Sequence, residues 1–312
     1  MTTVNINSHL WTGDMGDLIS ICIASIGRRT LVDTICSVDK SAAKYGFNIE
    51  YIIADDSPNK AVTTLLSQAM MVRENIKIID VASRNISIAR NACLKNSSGK
   101  YLAFIDDDEI ADINWLGTLH SALTSNNVDG VFGAILPIHD PAIPQWIVKS
   151  SPFLKFFKNN NARVETGGTG NLLMKSQIVK ETGLSFNQDF GRTGGEDTLF
   201  FYELNKAGYI FICENKSIVN EHVTPDRVVL SKLFKRYCRG GQTYAYINNK
   251  GHGPIRRAKE FVNGLIKLIV SSIFFVLVFP VNKSTGLVWY LKMAANYGKI
   301  KYFAGAKMDV LY

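Results

Sequence analysis

The stretch YLAFIDDDEI, residues 101 to 110, runs five apolar or aromatic residues into four consecutive carboxylates, Asp106, Asp107, Asp108 and Glu109. Like charges this close repel unless water or a cation dilutes them, so a positive partner is expected beside them. The same acids would also suit a solvated loop tip or the first turn of a helix near Ile113 to Leu123, with Glu109 as the helix-start acid. Two further acidic pairs stand out: Asp55-Asp56, at the end of the apolar run IEYIIAD, and Glu196-Asp197, after the flexible segment GRTGG. Read structurally, the latter two are acids in the first turn of a helix, which stabilise it by about 0.3 to 1 kcal/mol. Read chemically, carboxylates at this density hold a hard divalent cation or take a proton from a hydroxyl group.

The elements around these acids decide where they meet. LISICIA (18 to 24), IEYIIAD (49 to 55), IKIIDVA (76 to 82) and YLAFI (101 to 105) read as strands that are apolar on both faces. Helical periodicity separates them, over residues 31 to 45, 59 to 71 and 86 to 95. Such alternation predicts an α/β fold with a Rossmann-like, mostly parallel sheet flanked by helices. Where a dinucleotide fold would place GxGxxG, this chain has ASIGRR, and GxxxxGK[ST] occurs nowhere. Dinucleotide redox chemistry and P-loop phosphoryl transfer therefore lose ground. Ligands of open parallel sheets bind beyond the carboxyl ends of the strands. Ser25 to Arg29, Asp55-Asp56 and Asp106 to Glu109 would thus converge on one crevice, suited to a nucleotide whose phosphates reach the acids through a metal ion.

The chain is globular by composition, with 312 residues, 46% of them apolar. Its five cysteines are odd in number, scattered and without a CxxC pair, which predicts neither a disulfide framework nor a zinc site and fits a reducing cytosol. Residues 1 to 17 read as a loose lead-in without the pattern of a secretory signal. The net charge of +8 is asymmetric: residues 226 to 312 hold 15 Lys/Arg against 3 Asp/Glu, net +12, while residues 1 to 225 are net −4. Within that basic tail, VNGLIKLIVSSIFFVLVFPV (262 to 281) carries one charge in twenty residues. This pattern predicts a membrane surface as partner and no nucleic acid. The apolar run is borderline for a span, which needs ~20 residues, and GLVWYLKMAANYGKIKYFAG (286 to 305) mixes Trp and Tyr with lysines like an interfacial helix. The expectation is a C-terminal helical membrane-associating segment over 241 to 312, monotopic or re-entrant, after a catalytic domain over 18 to 240. A buried core hairpin is the alternative.

ISICIASIGRRTLVDTICSV, YIIADDSP, NISIARNACLKNSSGKYLAFIDDDE and GGEDTLFFYELNKAG together resemble glycosyltransferase family 2, over roughly residues 18 to 240. The tail is similar to that of bacterial exopolysaccharide transferases of the succinoglycan type. The resemblance implies a GT-A fold and inverting transfer of a sugar from a nucleotide diphosphate, with a UDP-sugar as the foremost donor. It further implies that Asp55 and Asp56 bind the nucleotide base. Asp106 and Asp108 match the DxD pattern, with Asp106 near the ribose and Asp108 holding Mn²⁺ or Mg²⁺ on the diphosphate. Asp107, between them, counts with the nucleotide-sugar-binding residues and need not touch the metal.

By the same resemblance Arg90 frames the nucleotide pocket, unless it is simply a surface helix arginine. Asp197 is the base for the acceptor hydroxyl, and Glu196 its neighbour contacting the acceptor or positioning the loop. His222, in VNEHVTPDR, matches a further metal ligand in some members; a strand-end histidine bound to backbone is the other reading. The glycine-rich loop ETGGTGN (165 to 171) could let backbone approach the donor sugar or the acceptor. Arg227 and Arg236 to Arg239 could reach the diphosphate or belong to the basic membrane side.

The chain departs from the family at Ala24, usually proline, and at Gly27-Arg28. The QxxRW motif of processive synthases is missing, since Gln242 is followed by TYAY, which implies one sugar per encounter. The expected acceptor is a glycan or polyprenyl-linked oligosaccharide at the cytoplasmic face of a bacterial inner membrane. The rival from another class is a noncatalytic membrane-associated carbohydrate-binding or scaffolding protein. A phosphatase with a DxDx[TV] signature would need Thr or Val where Ile110 stands.

Overall fold

A computed structural model describes residues 17–308, so the expected lead-in falls outside the described residues apart from Asp17. Eight strands form one sheet: β1 (Leu18–Ser25), β2 (Asn48–Asp55), β3 (Ile76–Asp80), β4 (Tyr101–Ile105), β5 (Glu109–Ala111), β6 (Gly130–His139), β7 (Asn171–Lys175) and β8 (Phe211–Val223). Their spatial order is β3-β2-β1-β4-β7-β6-β8-β5. β3, β2, β1 and β4 pair in parallel, as do β6 and β8, whereas β7 and β5 run the other way. The expected mostly parallel sheet is therefore present, with two reversed strands in its second half.

Both faces of the sheet are covered, which is why its strands read as unbroken apolar runs. Ile19, Ile21, Ile23, Tyr51 and Ile53 pack against α1 (Thr30–Tyr45), α2 (Ala61–Gln68) and α4 (Trp115–Ser125). The alternate residues Cys22, Ile52, Leu102 and Phe104 meet α3 (Ile86–Asn96), α6 (Gln177–Thr182) and α7 (Glu196–Lys206) on the opposite face. The period of two along each strand thus feeds two apolar cores at once.

Glu109 departs from its expected place. It opens β5, opposite Glu221 of β8, and is buried, so it is not a helix-start acid. Its Oε2 accepts the backbone N–H of Asp106 at 2.9 Å, closing the turn that carries the acidic run, and α4 begins only at Trp115.

After β8 the chain forms three long helices, α8 (Leu230–Asn249), α9 (Pro254–Val278) and α10 (Lys283–Phe303), preceded in sequence by the short α5 (Gln145–Ser150) near β6. α8 runs unbroken through residue 240. α10 lies between α8 and α9. Leu287 and Leu291 of α10 share a core with Leu233 of α8 and Ile147 of α5. α9 is not a buried core helix: only 11% of its most apolar window is covered, and Val262, Ile266, Ile269, Ile273 and Val276 are exposed.

Candidate active site

The strand ends do converge, but their acids are in different states. Asp55 is buried at the end of β2, and both its oxygens accept backbone N–H groups, from Ser57 and Val62, at 3.0 Å each. It therefore ties the turn into α2. Asp56 gathers the loop before α3 in the same way. It accepts from the backbone of Ser83 at 2.6 Å, Arg84 at 2.8 Å and Asn85 at 2.8 Å, and from the Ser83 hydroxyl. Asn85 in turn caps α3, taking the N–H groups of Ser87 and Ile88. Both carboxylates thus shape the rim of the crevice.

The positive partner expected beside the acidic run is a set of arginines from distant elements. Arg28, in the loop after β1, donates to Asp107 at 2.8 Å and to Asp108 at 3.1 Å. Asp107 is buried and also accepts the Ser25 hydroxyl at 2.6 Å, so it fastens the β1 loop to the β4 end. Arg227 lies 4.0 Å from Asp108 and is paired with Glu221. Burial nevertheless pushes the Asp107 carboxyl up, against Arg28 and Ser25, which pull it down. The Asp108 carboxyl is pushed up to about 6, by burial first and then by the charge of Asp106. Glu109, fully enclosed, is driven well above the usual carboxylate range by burial and by Asp106. An acidic group still short of positive charge is what these shifts describe.

Arg90 joins this group to the second one. Its guanidinium, on the inner face of α3, donates to Asp106 at 3.3 Å and forms a buried ion pair with Glu196 at the start of α7. The surface reading of Arg90 is thereby excluded, since its side chain is 9% exposed. Glu196 is pushed up to about 7, because burial and the adjacent Asp197 outweigh Arg90. Its other oxygen, Oε2, is buried with no hydrogen-bond partner among the described residues.

Asp197 is more open. Its Oδ1 accepts the backbone N–H of Thr198 at 2.7 Å, and its Oδ2 faces Gly168, where an added Cβ would stand 3.2 Å away. The Lys155 ammonium would lie 3.9 Å from that same Cβ, and the next glycine, Gly170, leaves room for Glu109. The glycine-rich loop thus runs between both acid groups. Behind the segment GRTGG stands α8: Arg239 donates to the Thr193 carbonyl at 2.6 Å, and Thr243 packs on Gly195.

The donor set fits a hard divalent cation. Asp106 and Asp108 offer carboxylate oxygens, and Mg²⁺ or Mn²⁺ in nucleotide sites is held by one or two carboxylates with phosphate and water completing the shell. Among the described residues no three His, Cys, Asp or Glu side chains form a ready-made cage. His222 is exposed on β8 opposite Ile138, and its carbonyl accepts from Arg227 at 3.1 Å. Arg236 lies with Arg227 against the Phe153 ring, each guanidinium carbon 5.0 Å from its centre. Lys155 carried no signal in the sequence, lying in a loop between exposed Leu154 and Phe156. Arg28 had one: a glycine and a cation directly after the first strand.

Comparison with known proteins agrees with this architecture. The sequence model of glycosyl transferase family 2 matches residues 20–177. Succinoglycan biosynthesis protein ExoM of Rhizobium meliloti (strain 1021) is 30% identical over 237 residues, covering 75% of this chain and 77% of that protein. Among solved structures, S. aureus TarS 1-349 superposes with a TM-score of 0.51 at 13% identity, over 92% of this chain and 91% of that one. The same protein in complex with UDP gives 0.50 at 14% identity, over 94% of each chain. At these identities the likeness to TarS concerns the fold, which is of the GT-A type.

Proposed function

The chain belongs to glycosyl transferase family 2, and from that premise we propose that it moves one sugar, with inversion, from a nucleotide diphosphate sugar to a glycan or polyprenyl-linked oligosaccharide in bacterial surface polysaccharide synthesis. The observation that carries this reading is the Arg90 guanidinium bridging Asp106 and Glu196, which brings the DxD-bearing strand end and the start of α7 into one crevice.

In this reading Asp197 takes the proton from the acceptor hydroxyl through Oδ2, the oxygen that faces the open space over Gly168. The acceptor oxygen bonds to the anomeric carbon as the bond to the diphosphate breaks, and the electron pair leaves with the nucleotide. A single displacement of this kind inverts the centre. Arg90 and buried Glu196 hold the start of α7 in place. Asp106 and Asp108 would hold Mn²⁺ or Mg²⁺, which when bound offsets charge on the departing nucleoside diphosphate. Arg28 and Arg227, already beside Asp108, supply fixed positive charge on the same side. His222 could join them as a ligand only by turning in from its exposed position.

The UDP complex of TarS supports a UDP-sugar as donor. The name of the Rhizobium relative supports an exopolysaccharide product. The apolar α9 and the basic tail support a location at the cytoplasmic face of the inner membrane, with residues 18 to 240 catalytic and 241 to 312 membrane-associating. Incubating the protein with a panel of UDP-sugars, Mn²⁺ and a bacterial lipid extract tests the proposal. Release of UDP that depends on both sugar donor and extract is expected, and no release from any nucleotide sugar would sink it.

A further inference from the structure

We infer that α9 lies flat on a bilayer bearing anionic phosphate headgroups instead of crossing it, with the stripe Ile255, Val262, Ile266, Ile269, Ile273 and Val276 sunk into the headgroup–acyl boundary. This deepens the membrane location proposed above and rests on it.

The first reason is that α9 is fastened to α10 from Phe261 onward. Phe261 meets Phe303, Gly264 meets Ile300, and Phe274 stacks on Trp289 with ring centres 4.5 Å apart. Residue numbers rise on α9 as they fall on α10, so the two form an antiparallel hairpin. α10 is in turn locked to α8: a Cβ added at Gly298 would fall 1.8 Å from the Cys238 carbonyl oxygen, and one at Gly241 would fall 1.9 Å from that of Ala295. α8 belongs to the active-site wall through Arg239 and Thr243.

The hairpin is also held near the catalytic body, at its tip and, four residues before α9 begins, through the end of α8. The hairpin tip rests on it where Phe279 packs edge-on against Trp146 of α5, with centres 5.9 Å apart. At the other end, the residue after α8, Lys250, pairs with Glu203 of α7. A helix of 25 residues is about 37 Å long, enough to cross a hydrocarbon core of ~30 Å. For this helix to do so, α10 would have to enter with it, carrying Lys292, Lys299 and Lys301, and the body would follow. Lying in the plane asks none of this.

The surface of α9 has the matching chemistry. Arg256, Glu260, Asn263 and Lys267 recur at helical spacing beside the apolar stripe, so the first half of the helix is two-sided, apolar next to polar. Lys292 sits over the Trp289 ring at 4.4 Å, a cation on an aromatic of the kind found at headgroup level. A second copy of the chain is a poorer occupant. Self-pairing along α9 would bring Arg256, Arg257, Lys259 and Lys267 against their own kind with Glu260 as the one acid on the helix.

The test uses the full chain with its exposed cysteine replaced, Cys36→Ser, the other four being buried. Ile255→Cys, Ile266→Cys and Val276→Cys are each labelled with an environment-sensitive fluorophore and mixed with phosphatidylcholine vesicles with or without phosphatidylglycerol. Spin-labelled lipids then quench from shallow or deep positions. The expected result is equal shallow quenching at all three sites, little deep quenching, and at least tenfold weaker binding without phosphatidylglycerol. Deep quenching confined to Ile266→Cys, with one flanking site reached only from inside the vesicle, means a span and overturns the inference. Absence of quenching together with concentration-dependent dimerisation assigns the face to a second copy and also overturns it. Sugar transfer is not part of the readout, so the depth pattern and the glycosyltransferase reading fail separately.

Discussion

Arg90 and Glu196, 106 residues apart in sequence, form a buried ion pair between α3 and α7, and Arg90 reaches from there to Asp106. The pair joins the end of β4 to the start of α7. Glu196 carries a second neighbour of its own sign in Asp197, so the joint is electrostatically strained in the ionised state.

Removing the arginine should therefore cost more than removing both charges. Arg90→Ala leaves a buried carboxylate without its partner, for which about 3 to 5 kcal/mol of lost stability is expected at pH 8. The double variant Arg90→Ala with Glu196→Gln should recover part of that loss. Urea unfolding of the two single variants, the double variant and the parent gives the coupling directly, and simple additivity would contradict a working pair.

The same carboxyl sets a pH dependence of known sign. Glu196 is raised from its ordinary 4.5 to about 7, so the folded state holds its proton more tightly than the unfolded chain. The stability tied to that proton is complete below about pH 4.5 and is lost as pH rises through about 7, at most about 3 kcal/mol in all. Glu196→Gln should flatten this part of the profile. Unfolding midpoints at pH 5, 6, 7 and 8 check it: parallel curves for parent and variant would mean that Glu196 does not titrate there.

These particulars mark what the sequence could and could not reveal. Apolar runs delimit strands because both faces of the sheet are covered, so β1, β2 and β4 fall within about a residue of where the pattern puts them. α2 is shorter than its periodicity suggests, since Asp55 binds the Val62 N–H and starts the helix late. A carboxylate that gathers loop N–H groups and one that waits for a ligand are the same letter in a sequence. Glu109 belongs to the first kind by its contacts, and Asp55 and Asp56 hold loop N–H groups at the rim with lone pairs to spare. Asp106 and Asp108 differ from them by being partly open to solvent, a property of tertiary packing. Lys155 is assigned to the site only by a loop path that no local pattern encodes.

Asp108 and Asp197 should separate cleanly by assay. Asp197→Asn keeps the shape of the loop but cannot accept the acceptor's proton, so turnover should fall by ~10²- to 10⁴-fold with UDP binding little changed. Asp108→Asn should lower turnover and also abolish the Mn²⁺-dependent part of UDP binding in calorimetry. Equal UDP affinity with and without Mn²⁺ in the parent would remove Asp108 from any metal role.

Gly168 and Gly167 offer a contrast between site and core. A methyl at Gly168 would stand 3.2 Å from Asp197 Oδ2, crowding that carboxylate while leaving the core alone. One at Gly167 would run into the Phe132 ring at 2.1 Å. Gly168→Ala is expected to raise the acceptor KM or lower kcat by about tenfold with stability within about 1 kcal/mol, whereas Gly167→Ala should destabilise by about 1 to 3 kcal/mol. Thermal unfolding and acceptor kinetics on the two variants distinguish the cases.

The remoter prediction concerns Gly298, far along α10 from the acids. Its Cα lies so near α8 that even a methyl group would meet the Cys238 carbonyl carbon and oxygen, so Gly298→Ala must part the two helices. α8 holds the GRTGG segment through Arg239 and Thr243, and that segment leads directly into Glu196 and Asp197. Gly298→Ala should therefore reduce sugar transfer several-fold at a temperature where the protein is still folded. Gly264→Ala is the control: on α9 it meets the end of the Ile300 side chain at 3.3 Å and Lys299 Cβ at an ordinary 3.8 Å, and alanine favours helix by about 0.8 to 1 kcal/mol over glycine. If the two variants transfer sugar equally well, the α8–α10 contact carries no influence on the catalytic loop.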